Sequence, residues 1–428
     1  MRWLNRVMLR LLIENTLDRR IAFMIIKDIG RVVTGKTPLT KVEKYYGGDI
    51  MFISPSDLHG DYLIEKSEKT ITEEGLKSIE SNIIKGISVL TGCIGWDMGN
   101  VAMCNSRCAT NQQINAITDF NDELVDPKYI YYWLKGKKEY LFSIASVTRT
   151  PILSKSVFEN IDIPLPSLKV QKKIVKLVSC IDEKIRKNNH INDYLEEMAK
   201  TIYDYWFVQF EFPDENGNPY KSTGGKMSRT KDFGLAPCGW KFGNLYDIAE
   251  FINGLACQKY RPMEDEASLP VIKIKEMHDG ISSDTERVKA TIPEKNIVNT
   301  GDILFSWSAS LEVQHWAGTT GGLNQHIFKV IPKKGYSSSY VYHQLQAYVI
   351  KFIQMADARK TTMGHITSDH LRQSVIVLPP ENIVRNFSQQ VDDIHAEINH
   401  INIETHRLSQ LRDWLLPMLM NGQATIED

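Results

Sequence analysis

Residues 30–37 read Gly-Arg-Val-Val-Thr-Gly-Lys-Thr and satisfy the phosphate-loop pattern G-x-x-x-x-G-K-[ST] letter for letter. That chemistry needs a helix starting at Lys36-Thr37, whose first amides hold phosphates, and an acidic strand end elsewhere for magnesium. Pro38 follows at once, Tyr46-Gly47-Gly48 cuts any helix short, and no clear apolar strand ends in paired acids. The copy of this stretch later in the chain, residues 248–255, keeps Gly254 but has neither the Lys nor the Thr. Gly35 therefore reads as a turn between strands. Methyl transfer to a base would need a glycine-rich cofactor strand and an Asn/Asp-Pro-Pro-Tyr-like site, and neither occurs. Nor is there a His-x-x-x-His helix, a Gly-x-Ser-x-Gly elbow or a convincing carboxylate-lysine nuclease cluster. Cys104 and Cys108 have the spacing of two zinc ligands but no evident third and fourth.

What remains is chemistry of contact. Cations and polar residues gather with aromatics in four places: Lys36, Lys41, Lys44, Tyr45 and Tyr46; Arg149 and Thr150; Lys259, Tyr260 and Arg261; Arg359, Lys360, Thr361 and Thr362. Such groups reach phosphates and base edges, with Arg to guanine and Asn or Gln to adenine the favoured pairings. Asn111-Gln112-Gln113 and Asn324-Gln325-His326 fit base reading and shared framework hydrogen bonding equally well. Formal net charge is -1 and pI about 6.8, so any nucleic-acid contact rests on local patches or a basic partner rather than on the field of the whole chain.

The elements that must hold these loops are read from periodicity. Apolar residues recur in steps of four and three at Val170, Ile174, Val178, Ile181 and Ile185, pass Asn188 and Asn192, and resume at Leu195, Ala199, Ile202 and Trp206. A seam of that spacing belongs to a long helix packed against another helix. Adding 213 to each position gives Phe387, Val391, Ile394, Ile398, Ile401, Thr405, Leu408, Arg412, Leu415 and Leu419, the same rhythm with one break at Arg412. Each helix follows a proline-bearing apolar strand, Ile161 to Pro166 and Val375 to Pro380. The chain is thus a duplication. An antiparallel overlap would set Ile174 near Leu419, Ile185 near Leu408 and Leu195 near Ile398, with Asn188, Asn192 and Thr405 meeting at mid-length.

Short, partly β-branched runs fill the rest: 21–26, 49–53, 87–90 and 114–117, answered by 245–252, 269–274, 302–307 and 326–331. Ile29, Gly35, His59 and Gly86 match Ile248, Gly254, His278 and Gly301, and Thr148 matches Thr361. Tyrosine-rich helical stretches at 129–134 and 340–345 precede the long helices. The expected fold is α+β, with two strand-rich domains in tandem, each followed by a long helix, and the two helices form an antiparallel coiled coil with pseudo-two-fold symmetry. The divisions are an N-terminal amphipathic helix (1–22), first domain (23–166), central helix (167–210), linker (211–240), second domain (241–379) and C-terminal helix (380–422). Six cysteines without paired spacing, no secretory signal and no run of the roughly 20 apolar residues a membrane span needs point to a cytoplasmic protein with no membrane association.

With these motifs together the sequence resembles the DNA specificity subunits of type I restriction-modification systems over nearly its whole length. The resemblance is carried by Thr34-Gly35-Lys36-Thr37-Pro38 with Tyr46-Gly47-Gly48-Asp49, by Ile53-Ser54-Pro55-Ser56-Asp57-Leu58, and by the junctions at Pro164 to Gln171 and Leu378 to Pro380. Leu235-Ala236-Pro237-Cys238-Gly239-Trp240 and the run from Phe212 through Asn216-Gly217-Asn218 to Gly224-Gly225-Lys226-Met227 add to it. The first domain departs by lacking its own Pro-x-Gly-Trp lead-in, and Asn382-Ile383-Val384 stands where a Glu-Gln pair is commonest. The resemblance implies a non-catalytic subunit that reads an asymmetric, bipartite target in double-stranded DNA. It implies docking of two methylation subunits and, in a complete enzyme, two restriction subunits. S-adenosylmethionine and ATP with magnesium would then be used by those partners, with no cofactor in this chain. The competing expectations are a nucleotide-binding enzyme built on residues 30–37 and a coiled-coil scaffold that touches no DNA.

Overall fold

The computed structural model describes residues 22–59, 62–147, 149–230, 234–282, 284–308, 310–358, 368–424 and 426. The expected amphipathic helix at the N-terminus, the Thr148/Thr361 match and the group Arg359, Lys360, Thr361 and Thr362 lie outside these. The chain divides into two compact units, residues 1–186 with 409–428 and residues 187–408, so each long helix contributes to both.

In the first unit, strands 88–92 and 114–118 are buried along their whole length, which is why they read as continuous apolar runs rather than alternating ones. They form the centre of a four-stranded sheet in the order 31–34, 114–118, 88–92, 101–104. A second sheet sets 69–71 antiparallel and 108–110 parallel to strand 46–53. The second unit repeats this plan: 249–253, 327–332, 303–306, 312–315 in one sheet, and 268–272 flanked by antiparallel 287–289 and parallel 321–323 in the other. Gly86 and Gly301, matched in sequence, both take the left-handed backbone, with φ of 68° and 92°. One expected run is corrected: 245–252 is a helical turn, Leu245–Ile248, capped by Asn244 and Asp247, before strand Ala249–Asn253 begins. The turn Ile26–Ile29 occupies the matching place in the first unit.

A tyrosine-bearing helix mounts each domain on a long helix. The first, Pro127–Lys135, starts with proline in its first turn and an Asp126 side chain accepting from the Lys128 amide. Its Tyr129 hydroxyl donates to the carbonyl of Pro164 at 3.0 Å. In the second, Ser338–Ala358, the Tyr340 hydroxyl donates to the carbonyl of Val377 at 3.2 Å. Both bonds land on the strand that leads into the long helix, 162–165 in one unit and 376–378 in the other.

The long helices run Leu168–Tyr203 and Glu381–Met420. Of the seam positions, Ile174, Val178, Ile181, Asn188, Val391, Ile398, Ile401 and Leu415 are buried, and Ile185, Leu195, Ile202, Ile394 and Leu408 are half-buried. Val170 does not belong to the seam, being 40% exposed. Its neighbour Gln171 is buried instead, accepting from the Asp126 amide and donating to the carbonyls of Leu124 and Pro166. A polar residue therefore ties the helix start to the first domain. In the second unit the Asn188 amide donates to Glu404 (2.9 Å) and Thr405 (3.1 Å), and Asn192 donates to Asn402 (2.6 Å). As one partner advances the other retreats, so the helices pair antiparallel there; Asn188 meets Thr405 as expected, while Asn192 bonds Asn402 instead.

Of residues 211–240, read as a linker, the described ones, 211–230 and 234–240, are folded. Phe212 stacks between Tyr220 (4.7 Å) and Trp240 (5.0 Å), and a hairpin pairs 227–230 with 234–237. The Pro, Gly, Asn and Ser that suggested a flexible connection are turn residues between aromatic anchors.

Candidate nucleic-acid interface

The phosphate-loop pattern is disposed of by backbone geometry. Arg31–Thr34 is a strand paired with 115–118, and no helix begins at Lys36-Thr37. Gly35 is required, though not for a left-handed turn: a β-carbon there would stand 2.0 Å from the carbonyl oxygen of Asn111. Gly254 meets the carbonyl of Asn324 at the same 2.0 Å. Each glycine lets two loops cross in contact.

That crossing gathers one edge of the first domain. Thr37 donates to Gln112 at 2.7 Å, and Asn111 binds both the side chain and the amide of Gln113, which is the framework role weighed for these amides. The Gln113 carbonyl accepts from the Cys93 amide, and the Cys93 carbonyl from the Leu153 amide. Lys36, the loop after Cys93 and the hairpin 146–147/151–152 thus share an edge, and Arg149 and Thr150 sit exposed at the hairpin tip. Within the same edge His59 contacts Asp97 at 2.5 Å, and Lys138 reaches Asn100 at 2.8 Å and Asp97 at 3.4 Å. Burial pushes the Asp97 carboxyl up, but Asn100, His59 and Lys138 together outweigh it and hold it below its ordinary value.

Other candidates are placed differently. The Tyr46 hydroxyl donates to the Pro38 carbonyl, and the Tyr45 carbonyl accepts from the Thr72 amide, so both serve the framework of their loop. Lys44 pairs with Glu74 at 2.7 Å on the surface, a hydrogen bond and charge that raise its pKa, while Lys41 is exposed. In the second unit Tyr260 packs on the buried cluster of Cys257, Val271, Val288 and Ile292, leaving Lys259 and Arg261 exposed. His278 and Glu312 repeat the histidine-carboxylate pair at 2.9 Å. These pairs were invisible to motif reading because their carboxylates lie more than 30 residues from the histidines; the match of His59 to His278 was the available signal. Trp96 was also missed, although a tryptophan between Gly95 and Gly99 marks an aromatic held on a tight loop.

Among the described residues no group of three or more His, Cys, Asp and Glu side chains could hold a metal ion, and no helix is long and apolar enough to cross a membrane.

Two copies of one mixed-sheet domain, each fixed by a tyrosine to the strand before its own long helix, define a class of duplicated recognition scaffold. The sequence profile of the type I restriction modification DNA specificity domain matches residues 20–197 and again 237–411, and the chain belongs to that family. It is 28% identical over 418 residues to the type I restriction enzyme MjaIX specificity subunit of Methanocaldococcus jannaschii, covering 94% of this chain and 93% of that one. With the HindI specificity subunit of Haemophilus influenzae it shares 22% over 361 residues, 71% of this chain and 78% of the relative. The crystal structure of the type I restriction-modification S subunit from M. genitalium has the same fold, with a TM-score of 0.54 at 13% identity, over 95% of this chain and 98% of that one.

Proposed function

We propose that this chain is the sequence-reading subunit of a type I restriction-modification enzyme, recognising an asymmetric bipartite target in double-stranded DNA. The observation that carries this reading is the duplicated mount: Tyr129 on Pro164 and Tyr340 on Val377 fix two domains of the same sheet order to two antiparallel helices. A domain present in two copies, each mounted on its own long helix, suits two half-sites separated by bases that no side chain contacts. Helices of 36 and 40 residues extend for roughly 54 and 60 Å, ample for half-sites one turn apart at about 34 Å. The domains differ in their contact residues, so the half-sites differ.

The chain itself is non-catalytic in this reading. Methyl transfer with S-adenosylmethionine and ATP-dependent cleavage with magnesium belong to partners, two methylation subunits and, where the enzyme is complete, two restriction subunits, in the cytoplasm. The relatives bear the name specificity subunit, which supports the assignment. The test is a chimera: residues 23–160 are exchanged for those of another family member, co-expressed with the methylation subunit, and modified bases are mapped. One half-site should change while the other half-site and the spacing persist. Alteration of both together, or a continuous recognition sequence, would refute the arrangement. No observation favours a nucleotide-binding enzyme or a DNA-free scaffold.

A further inference from the structure

The largest side chain on the gathered edge of the first domain is Trp96, which is 71% exposed. Burying an indole is favourable, so a domain that leaves one in water on a tightly bonded loop is presenting it to something else. The loop backbone is closely tied. Gly95 and Gly99 take left-handed backbone with φ of 102° and 91°, the Met98 amide closes the turn on the Gly95 carbonyl, and Met98 itself is a buried anchor. The Gly99 amide is tied back to Gly92, and the Phe142 ring lies 6.0 Å from the indole.

Its surroundings say what it faces. The Gly95 amide donates to the Pro151 carbonyl and Ile94 bridges Ile152, so the hairpin bearing Arg149 and Thr150 is joined to the tryptophan loop. Lys138, Asn100 and His59 also adjoin the loop, and its Asp97 carboxylate is engaged by His59 and Lys138. An apolar ring flanked by cations and amide side chains, with its acid neutralised, complements a polyanion whose base edges and thymine methyls are reached between phosphates.

Resting on the functional reading above, we propose that Trp96 is a specificity-determining contact to the base edges of the half-site read by the first domain, with Arg149 and Thr150 beside it. Among its described residues the second domain has no counterpart. Trp307 follows strand 303–306 at the place of Cys93, where its amide bonds to His326 as that of Cys93 bonds to Gln113, and its ring packs on His326 and Phe328. The indole contact therefore distinguishes one half-site from the other.

The experiment co-expresses the full chain, or its Trp96→Ala or Trp96→Phe variant, with the methylation subunit and maps modified bases across a genome. Trp96→Ala should reduce marking at the target roughly tenfold, the weight of one good base contact. It should relax base choice at one or two positions of a single half-site and leave the other half-site unchanged, while Trp96→Phe keeps most of the marking. An unchanged pattern in Trp96→Ala overturns the assignment. So does failure of Trp96→Ala to co-purify with the methylation subunit while melting at the wild-type temperature, which would make Trp96 a protein contact. A wild-type complex that marks no bipartite target would instead sink the functional reading itself.

Discussion

Arg412 breaks an apolar seam, and its neighbours explain the break. Its guanidinium reaches Asp182 at 3.0 Å, Asp182 also accepts from the buried Tyr132 hydroxyl at 2.8 Å, and the two charged side chains are only 17% and 7% exposed. Removing one partner of a buried pair leaves the other charge uncompensated, so Arg412→Ala should cost about 3 kcal/mol, read by chemical denaturation. Replacing Arg412 and Asp182 together by leucine should recover much of that loss; a double variant as unstable as the single one would mean the pair is not the cause. Gly35 offers a second test at this scale. With the Asn111 carbonyl oxygen 2.0 Å from the position of a β-carbon, Gly35→Ala must push two loops apart and should destabilise the first unit by ~2 kcal/mol or more. A melting temperature unchanged from wild type would contradict this.

Comparison of the mounting elements gives a pH dependence that sequence matching makes sharper. By the 213 offset, Asp182 corresponds to His395, and the place of Tyr132 on its helix is taken by His343. The two histidines face one another with Nε2 atoms 3.0 Å apart, among Tyr203, Tyr342 and His315. Burial first, then nearby charge, holds His343 down to about 4 and His395 down to about 3. Both values lie below that of the unfolded chain, about 6.5, so the unfolded state binds more protons between them. The stabilisation is complete above pH 6.5 and is lost as pH falls toward 4, by up to ~1.4 kcal/mol per unit for each histidine. Hydrogen exchange along 338–358, corrected for the slower intrinsic rate at low pH, should accelerate across that window while 127–135, mounted by Tyr132, Asp182 and Arg412, stays protected. Equal acceleration in both helices would rule out the histidine pair as the cause. On the long helices, Asn188→Leu should change stability by less than about 1 kcal/mol, because its partner Glu404 is exposed and its carboxylate stays solvated, while the helix register becomes less unique. A loss of several kcal/mol would show that the asparagine bonds are a buried network on which the pair depends.

For the molecule as a whole, duplication has a consequence for assembly. Any surface built from one copy of the strand-proline-helix mount recurs at the other, so a partner that docks on one finds a second site. Native mass spectrometry at saturation should give two methylation subunits per chain. A one-to-one complex that persists with excess partner would show that the mounts have diverged too far to be equivalent, and Tyr132 with Asp182 against His343 with His395 is one place where they differ.

The duplication, the long helices and the meeting of Asn188 with Thr405 were legible in the sequence because each depends on a local period or a constant offset, which one dimension preserves. Gly35 and Gly254 were legible as special residues but for the wrong reason: a turn is local, whereas the carbonyls of Asn111 and Asn324 arrive from about 70 residues away. The apparent linker misled because its turn residues dominate its composition, while Phe212, Tyr220 and Trp240 declare their role only once stacked. Arg412 looked like a fault in the seam until Asp182 and Tyr132 closed around it. The phosphate-loop letters fell to the strand they lie on, and Trp96 became visible when its exposure and its neighbours could be seen together. Periodicity and repetition are properties of the chain, and sequence alone determined them. Which cations share an edge, which acid is neutralised and which aromatic is left in water depend on contacts between distant segments, and only the tertiary structure decided those.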